Sequence, residues 1–128
     1  MRVLFDTHAL LWAALQPRRL SAVALQVVQD SSNQLFVSAA SAWEIATKVR
    51  LGKLPEAEVF EREFLGDIER AGYTLLSIDT EVSLRAGRLV GSHGDPFDRM
   101  ITAQALAQDM IVLSNDTKLD LFGVRRLW

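Results

Sequence analysis

Four acidic residues lie at or near the predicted ends of strands and helices, and they are the strongest candidates for chemistry in this chain. Asp6 directly follows an apolar run, and Asp116 follows another after two polar residues. Glu44 and Asp98 lie near the starts of predicted helices. Carboxylates that converge repel one another, so that either some take up protons or a cation neutralises them. A shared location for the four acids therefore predicts a cation site.

The residue types indicate which cation such a site would hold. The chain contains no cysteine and only two histidines, so disulfides, thiolate zinc sites and a cysteine nucleophile are excluded. A ligand set of carboxylate oxygens favours Mg²⁺ or Mn²⁺ over zinc. These ions bind phosphate oxygens and lower the pKa of water, and phosphodiester hydrolysis requires both effects.

Each of the four acids also has a purely structural explanation. Asp6 and Asp116 can each cap the helix that follows through a side-chain oxygen. Asp98 is favoured in a first helical turn by the helix dipole alone. Only a joint placement at one edge of the molecule separates a functional site from a set of helix caps.

Glu44 has the most complete structural alternative. It lies three residues after Ser41, as in a capping box, and four residues before Lys48, as in a helical ion pair. Against this, its neighbours Trp43 and Ile45 are apolar, so the carboxylate lies in an otherwise apolar helix. Both explanations remain open from the sequence.

The elements that must position these acids alternate along the chain. Strands are predicted at residues 2–5, 35–37, 74–78 and 110–113, with a short fifth at 124–127. Helices are predicted at residues 9–15, 21–30, 42–51, 55–72, 80–90 and 96–108. This alternation favours a single α/β domain over residues 1–128, with a mostly parallel sheet of four to five strands and helices on both faces. Sites in such sheets lie at the carboxyl ends of the strands, where three of the acids are predicted to meet. Asp98 is harder to place, because its helix follows a loop.

Composition limits the class of protein. A chain of 128 residues that is 49% hydrophobic and 23% charged can bury a core. No apolar stretch approaches the ~20 residues of a membrane span, and Asp6 and His8 interrupt the apolar start, so we expect a cytoplasmic protein with no membrane contact. The formal net charge is −2, so nucleic-acid binding would need a local basic patch or bound metal ions.

Four segments of the chain carry a resemblance to a known family. They are LFDTHALLW at residues 4–12, VSAASAWEIATKVRLGKL at 37–54, HGDPFDRMITAQALAQ at 93–108 and VLSNDTKLDLFGVRRLW at 112–128. In combination they resemble the PIN-domain family, and more narrowly the VapC-type toxins of bacterial toxin–antitoxin pairs. The segments cover the chain nearly from end to end.

The resemblance implies a three-layer α/β/α sandwich and an endoribonuclease that depends on Mg²⁺ or Mn²⁺. It implies that Asp6, Glu44, Asp98 and Asp116 form the catalytic and metal-binding set. It also implies a homodimer that cuts RNA and is silenced by a cognate VapB-like antitoxin, whose tail enters the active site. Asp95 matches a further acid of this subgroup, which we interpret first as a helix cap and second as a residue near the metal.

Five further residues are candidates for contacts with the ion's ligands or with the substrate. They are Thr7, His8, Asp95, Arg99 and Asn115. Arg99 adjoins Asp98 and can orient that carboxylate or pair with a phosphate. His8 lies on the same side as Asp6 only if the chain is extended there.

Other suggestive residues have ordinary predicted roles. His93 lies in a polar loop and is predicted to be solvated. Trp12 and Trp43 lie in apolar helical stretches and are predicted to pack in the core. The basic residues are predicted to lie on a solvated surface, where some can touch phosphates.

Other classes of α/β protein fit the acids less well. A receiver-like domain uses a pair of acids after its first strand and a lysine near its last, whereas this chain has Asp6 alone and no lysine after Lys118. A haloacid-dehalogenase-type phosphatase uses Asp-x-Asp, and the third position here is His8. A non-catalytic interaction domain, in which the acids are helix caps, is the third alternative.

Overall fold

Five strands form a parallel sheet at the centre of the molecule, in a computed structural model that describes all residues from 1 to 128. The strands are β1 (Arg2–Phe5), β2 (Gln34–Ser38), β3 (Thr74–Leu76), β4 (Ile111–Leu113) and β5 (Arg126–Leu127). Their order in the sheet is β3-β2-β1-β4-β5, and every neighbouring pair is parallel. The predicted α/β class and its parallel sheet are therefore confirmed, with five strands.

The helices connect these strands and cover both faces of the sheet. They are α1 (Thr7–Leu15), α2 (Ala22–Gln29), α3 (Ala39–Arg50), α4 (Glu58–Arg62), α5 (Phe64–Arg70), α6 (Thr80–Arg88) and α7 (Pro96–Gln108). Short 3₁₀ turns lie at Pro17–Arg19, Pro55–Ala57 and Thr117–Phe122. No helix is long and apolar enough to cross a membrane.

The alternation of side chains along each strand explains why both faces are covered. Successive residues of a strand point to opposite faces. Val3 and Phe5 join one buried apolar cluster, which includes residues of α1, α2 and α5. Leu4 and Val112 join a second cluster, which includes residues of α7. Each face of the sheet therefore has its own core.

Two helices begin earlier than the sequence predicted, and both starts matter for the site. Helix α1 begins at Thr7, because the Asp6 carboxylate accepts a hydrogen bond from the backbone N–H of Ala9. Helix α3 begins at Ala39, because the Ser38 hydroxyl accepts one from the backbone N–H of Ala40. Asp6 directly follows β1 and Ser38 is the last residue of β2, so both helices leave the same edge of the sheet.

The helix predicted over residues 55–72 is wrong as one continuous element. It is divided into a 3₁₀ turn and the separate helices α4 and α5. The break falls at Glu63, whose φ of −97° and ψ of 14° depart from helical values. Phe60 and Phe64, on either side of this break, both remain buried in the same cluster. The other element bounds differ from the predicted ones by one or two residues.

Helix α7 is tied to the carboxyl edge of the sheet by a buried amide. The Ser38 hydroxyl donates to Gln104 Oε1 at 2.5 Å, and Gln104 Nε2 donates to the backbone oxygen of Ser77 at 3.2 Å. These bonds connect α7 to the ends of β2 and β3. They supply the long-range contact that the sequence could not reveal, and they hold the helix that carries Asp98 at this edge.

Candidate metal centre

Asp6 lies at the end of the central strand and is almost fully buried. Its Oδ1 accepts the Ala9 N–H at 2.7 Å, so the predicted cap is formed. Burial raises the pKa of Asp6 above its usual value, although the Ser114 hydroxyl and the Ala9 amide act in the opposite direction. The Glu44 carboxylate adds a smaller repulsion that raises the same pKa. Asp6 is therefore a cap with an unfavourable negative charge.

Glu44 is buried, with 3% of its surface exposed, and only one of its two oxygens is paired. Lys48 Nζ lies 2.5 Å from Glu44 Oε2, so the predicted helical ion pair is confirmed. Glu44 Oε1 is buried without any hydrogen-bond partner. The predicted capping box is wrong, because Ser38 caps the helix and the Ser41 hydroxyl lies 3.0 Å from that of Thr7. A buried unpaired carboxylate oxygen is costly, and a ligand that binds it would remove that cost.

Asp98 lies in the first turn of α7, and its carboxyl group is strongly perturbed. Burial, followed by the negative charge of Asp95, raises the pKa of Asp98 to about 6. The charges of Asp6 and Glu44 contribute in the same direction, while the His93 imidazole opposes them. Asp6 and Glu44 therefore lie close enough to Asp98 for their charges to raise its pKa.

Asp116 and His93 lie on the more exposed side of the site. With Asp6, Glu44 and Asp98 they form what we call the acidic cluster. Asp116 caps the following 3₁₀ turn through Lys118 N–H, and 31% of its side chain is exposed. His93 Nε2 lies 2.9 Å from Asp98 Oδ2 and 3.6 Å from Asp116 Oδ2. The ligand atoms of these three residues all lie within 4.8 Å of one another. Asp98 and Asp116 are therefore close enough to share one ion.

The prediction that His93 is solvated is wrong. Only 13% of its side chain is exposed, and its ring stacks on Phe122 with 6.3 Å between the ring centroids. The residue was missed because its neighbours are glycine, serine and aspartate, which are typical of solvated loops. Its place just ahead of a helix that carries an acid in the first turn was the one available signal.

The expected role of Arg99 is not seen in its contacts. Its guanidinium donates to the backbone oxygens of Ala86, Leu89 and His93, and it lies over the ring of Phe122. A guanidinium with these three acceptors is turned away from the Asp98 carboxylate. Arg99 therefore holds the loop before α7 in place and does not pair with the Asp98 carboxylate.

The other residues proposed for contacts with the substrate or with the ion's ligands lie partly in the interior of the site and partly at its surface. Thr7 is buried and pairs with Ser41, while Asp95 caps α7 through the N–H groups of Phe97 and Asp98. Asn115 is exposed beside Asp116. His8 does not follow Asp6 along an extended chain, because α1 begins at Thr7. The expected placement of His8 on the same side as Asp6 therefore loses its basis.

The tryptophans differ from each other in their surroundings. Trp43 was predicted in the core and is instead 65% exposed, with its ring centroid 5.0 Å from that of Phe97. Trp12 is partly buried against the larger apolar cluster, where it contacts the ring of Trp128. An apolar neighbourhood in the sequence did not distinguish the buried face of α3 from its exposed face.

A groove of about 810 Å³ opens beside Asp116. Its walls include Trp12, the exposed ring of His8, and the cationic side chains of Arg19 and Lys118. The Arg19 guanidinium lies 4.7 Å above the Trp12 ring. The groove therefore offers aromatic surface and positive charge next to the acidic cluster.

The residues present fit a hard divalent cation. The donor set consists of carboxylates and one imidazole, and two of the carboxyl groups have raised pKa values. Helix capping alone accounts for neither the unpaired oxygen of Glu44 nor the clustering with Asp98. A cation would bind that oxygen and stabilise the charged form of each acid.

Comparison with known proteins gives the class to which this fold and site belong. The model of the PIN-domain family matches residues 3–124, so the chain belongs to the PIN-domain family. A stretch of 53 residues is 47% identical to ribonuclease VapC16 of Mycobacterium tuberculosis. That stretch covers 41% of this chain and 38% of the relative, so the match spans under half of either protein.

Solved structures resemble the chain over nearly its whole length. The structure of VapBC2 from Rickettsia felis, bound to a DNA fragment from its promoter, aligns with this chain with a TM-score of 0.71. The alignment covers 99% of this chain and 98% of that one. The structure of VapBC-1 from nontypeable Haemophilus influenzae aligns with a TM-score of 0.69 and covers 99% and 97%. The identities are 14% and 18%, so these matches establish the fold alone.

Proposed function

We propose that the chain is a metal-dependent endoribonuclease of the VapC type, which hydrolyses RNA phosphodiester bonds. The observation that carries this proposal is the Asp98 carboxyl group, whose pKa is raised to about 6 by burial and by three neighbouring acids. Carboxylates held together at such a cost are typical of a site that binds a cation. The membership of the PIN-domain family and the match to a VapC ribonuclease support the same activity.

Asp6, Glu44, Asp98 and Asp116 would hold Mg²⁺ or Mn²⁺ through carboxylate oxygens. When bound, such an ion supplies a water of lowered pKa and a positive charge beside the phosphate oxygens. The Ala9 N–H fixes one oxygen of Asp6, and Lys48 fixes one oxygen of Glu44. These bonds orient both acids before the ion arrives, and Glu44 keeps its second oxygen for the ion.

The groove beside Asp116 is the proposed path of the RNA. Arg19 and Lys118 can contact backbone phosphates, and the exposed part of Trp12 can stack on a base. These cations lie on the groove wall while the acids lie at its end. This arrangement supplies the local basic patch that a chain of net charge −2 needs.

The remaining parts of the proposal concern partners and location. A cognate antitoxin, a second copy of this chain and a cytoplasmic location are all consistent with the VapC type. The support is the likeness to VapBC2 and VapBC-1, which are themselves complexes. Binding of an antitoxin is the step by which such a ribonuclease would be silenced.

The decisive experiment compares two aspartates that both cap helices. Purified wild type should cleave RNA only with Mg²⁺ or Mn²⁺ present, and Asp6→Asn should abolish cleavage. The matched control is Asp79→Asn, because Asp79 caps α6 through the Val82 N–H away from the site. Both asparagines can retain the cap, so a difference between the variants reports on the charge of the carboxylate.

Analysis of the product ends tests the chemistry separately. Attack by water leaves a 5′-phosphate and a 3′-hydroxyl group, whereas attack by the RNA 2′-hydroxyl leaves a cyclic phosphate. We expect the first pair. Full activity of Asp6→Asn in a clean preparation, or cleavage that persists in excess EDTA, would contradict the proposed metal centre. No cleavage by the wild type under any metal condition would favour a non-catalytic interaction domain.

A further inference from the structure

The loop before α7 holds the His93 imidazole at the acidic cluster. The Arg99 guanidinium donates to the His93 backbone oxygen at 2.9 Å and also to that of Leu89. Gly91 has a φ of +151°, and a Cβ atom there would lie 2.8 Å from the Phe122 ring. The loop therefore passes tightly against Phe122, which also stacks on the His93 ring. These contacts hold His93 in a defined position.

The position of His93 Nε2 matches that of a metal ligand. It lies 2.9 Å from Asp98 Oδ2 and 3.6 Å from Asp116 Oδ2. An octahedral ion with bonds of about 2.1 Å has adjacent ligand atoms about 3 Å apart and opposite ones about 4 Å apart. The distances from Nε2 to the two carboxylates lie within this range. Three donor atoms, one each from the loop before α7, from α7 and from the residues after β4, thus lie within 4.8 Å of one another, as the ligands of one ion do.

A role limited to orienting Asp98 accounts for less of this geometry. A histidine that only orients a ligand carboxylate contacts its outer oxygen, away from the ion. Here the same nitrogen lies within 3.6 Å of an oxygen of each of two carboxylates. A second, independent sign of a ligand at the cluster is the buried Glu44 Oε1, which has no partner.

We propose that His93 Nε2 is a direct ligand of the divalent ion, together with Asp98 and Asp116. This inference rests on the proposed function, because it takes the acidic cluster to be a metal centre. An imidazole nitrogen binds transition-metal ions better than Mg²⁺, which prefers oxygen. The centre is therefore a mixed imidazole–carboxylate site that favours Mn²⁺ over Mg²⁺.

The test detects coordination of Mn²⁺ by the imidazole nitrogen directly, with Mn²⁺ alone and without RNA. Pulsed electron paramagnetic resonance of the full-length wild type with one equivalent of Mn²⁺ should show coupling to an imidazole nitrogen. Labelling the histidines with ¹⁵N should change that coupling. His93→Gln, which keeps a hydrogen-bonding side chain, should abolish it. The matched control is His8→Gln, because His8 is exposed on the neighbouring wall of the groove and should leave the coupling unchanged.

The affinities give a second readout. His93→Gln should weaken Mn²⁺ binding by about tenfold or more and Mg²⁺ binding by clearly less. If Mn²⁺ binds the wild type without any ¹⁵N-sensitive coupling, or if His8→Gln removes the coupling, this inference is overturned and the proposed function stands. If the wild type binds no Mn²⁺ at millimolar concentration, both fail. In His8→Gln the remaining histidine is His93, so the ¹⁵N comparison in that variant decides the question even if His93→Gln does not fold.

Discussion

Asp98 and Asp120 are the same residue type in opposite environments. Asp120 is exposed and accepts two hydrogen bonds from Arg126, at 2.9 Å and 3.2 Å, and this pairing lowers the pKa of its carboxyl group. Asp98 follows a loop held by Arg99, yet that guanidinium is bonded to backbone oxygens, and the Asp98 pKa is raised. Arg126 therefore neutralises a surface acid, whereas Arg99 does not pair with the acid beside it in the sequence.

The contrast shows how burial at the carboxyl edge of the sheet destabilises the charged form of acidic residues. Burial removes water from them, and Lys48 pairs with only one oxygen of Glu44. The remaining charge is left for a ligand. Folding thus carries a cost at this edge that a divalent cation can remove, as is common where function opposes stability.

The largest expected effect is on the rate of RNA cleavage, when the charge of Asp98 is removed and the charge of Asp120 is removed as a control. Asp98→Asn should reduce RNA cleavage by about 1,000-fold or more, because several kcal/mol of charge stabilisation at the phosphate would be lost. Asp120→Asn should leave the cleavage rate unchanged. Initial rates on one RNA with Mn²⁺ measure both. Equal losses in the two variants would break the distinction between them.

A cation should stabilise the folded protein through the cluster alone. Mn²⁺ at one hundred times its dissociation constant should add about 2.7 kcal/mol to the free energy of unfolding. Thermal unfolding with and without Mn²⁺ measures this as a rise in Tm. The rise should persist in Asp120→Asn and disappear in Asp98→Asn. An equal rise in both variants would place the binding elsewhere.

The raised pKa of Asp98 makes a prediction about the metal-free protein. The folded state binds this proton up to about pH 6, whereas the unfolded state releases it near 3.8. The contribution of Asp98 to stability therefore falls as the pH rises through that window, and above it the charged form costs about 3 kcal/mol. Asp98→Asn should then be more stable than the metal-free wild type at pH 8. Chemical denaturation at pH 4 and pH 8 would show whether the difference grows with pH; a constant difference would contradict the assignment.

The smallest effect concerns the basic wall of the groove. On the inactive Asp6→Asn background, Lys118→Ala should weaken binding of single-stranded RNA by up to about tenfold and reduce the slope of log K against log salt by about 0.7. Arg88→Ala is the control, because Arg88 is exposed on α6 and does not line the groove. Binding isotherms at three salt concentrations measure both. An equal loss with Arg88→Ala would mean that the groove has no special role.

The sequence predicted those parts of the fold and site that depend on local pattern. The strand before Asp6, the cap at Asp95 and the spacing of Glu44 and Lys48 are all local, and each was found as expected. The approach of Asp98 to the other acids depends on Gln104, which joins α7 to the ends of two strands. Buried contacts between distant segments leave no periodic signal.

The misassigned residues have the same cause. His93 lies in a loop of small polar residues, and its burial follows from the distant ring of Phe122. Trp43 lies on the exposed face of a helix whose buried face is also apolar, so neighbouring residues did not distinguish the two. Arg99 was assigned to Asp98 because the two are adjacent, but successive residues of a helix do not face each other.

Calorimetric titration of the metal-free protein with Mn²⁺ at pH 8 and at pH 6 tests the central claim most directly. We predict saturable binding with a dissociation constant below millimolar at pH 8, weaker at pH 6 because Asp98 must lose a proton there, and absent in Asp98→Asn. No saturable heat with the wild type, or binding that is the same at both pH values and in the variant, would contradict it.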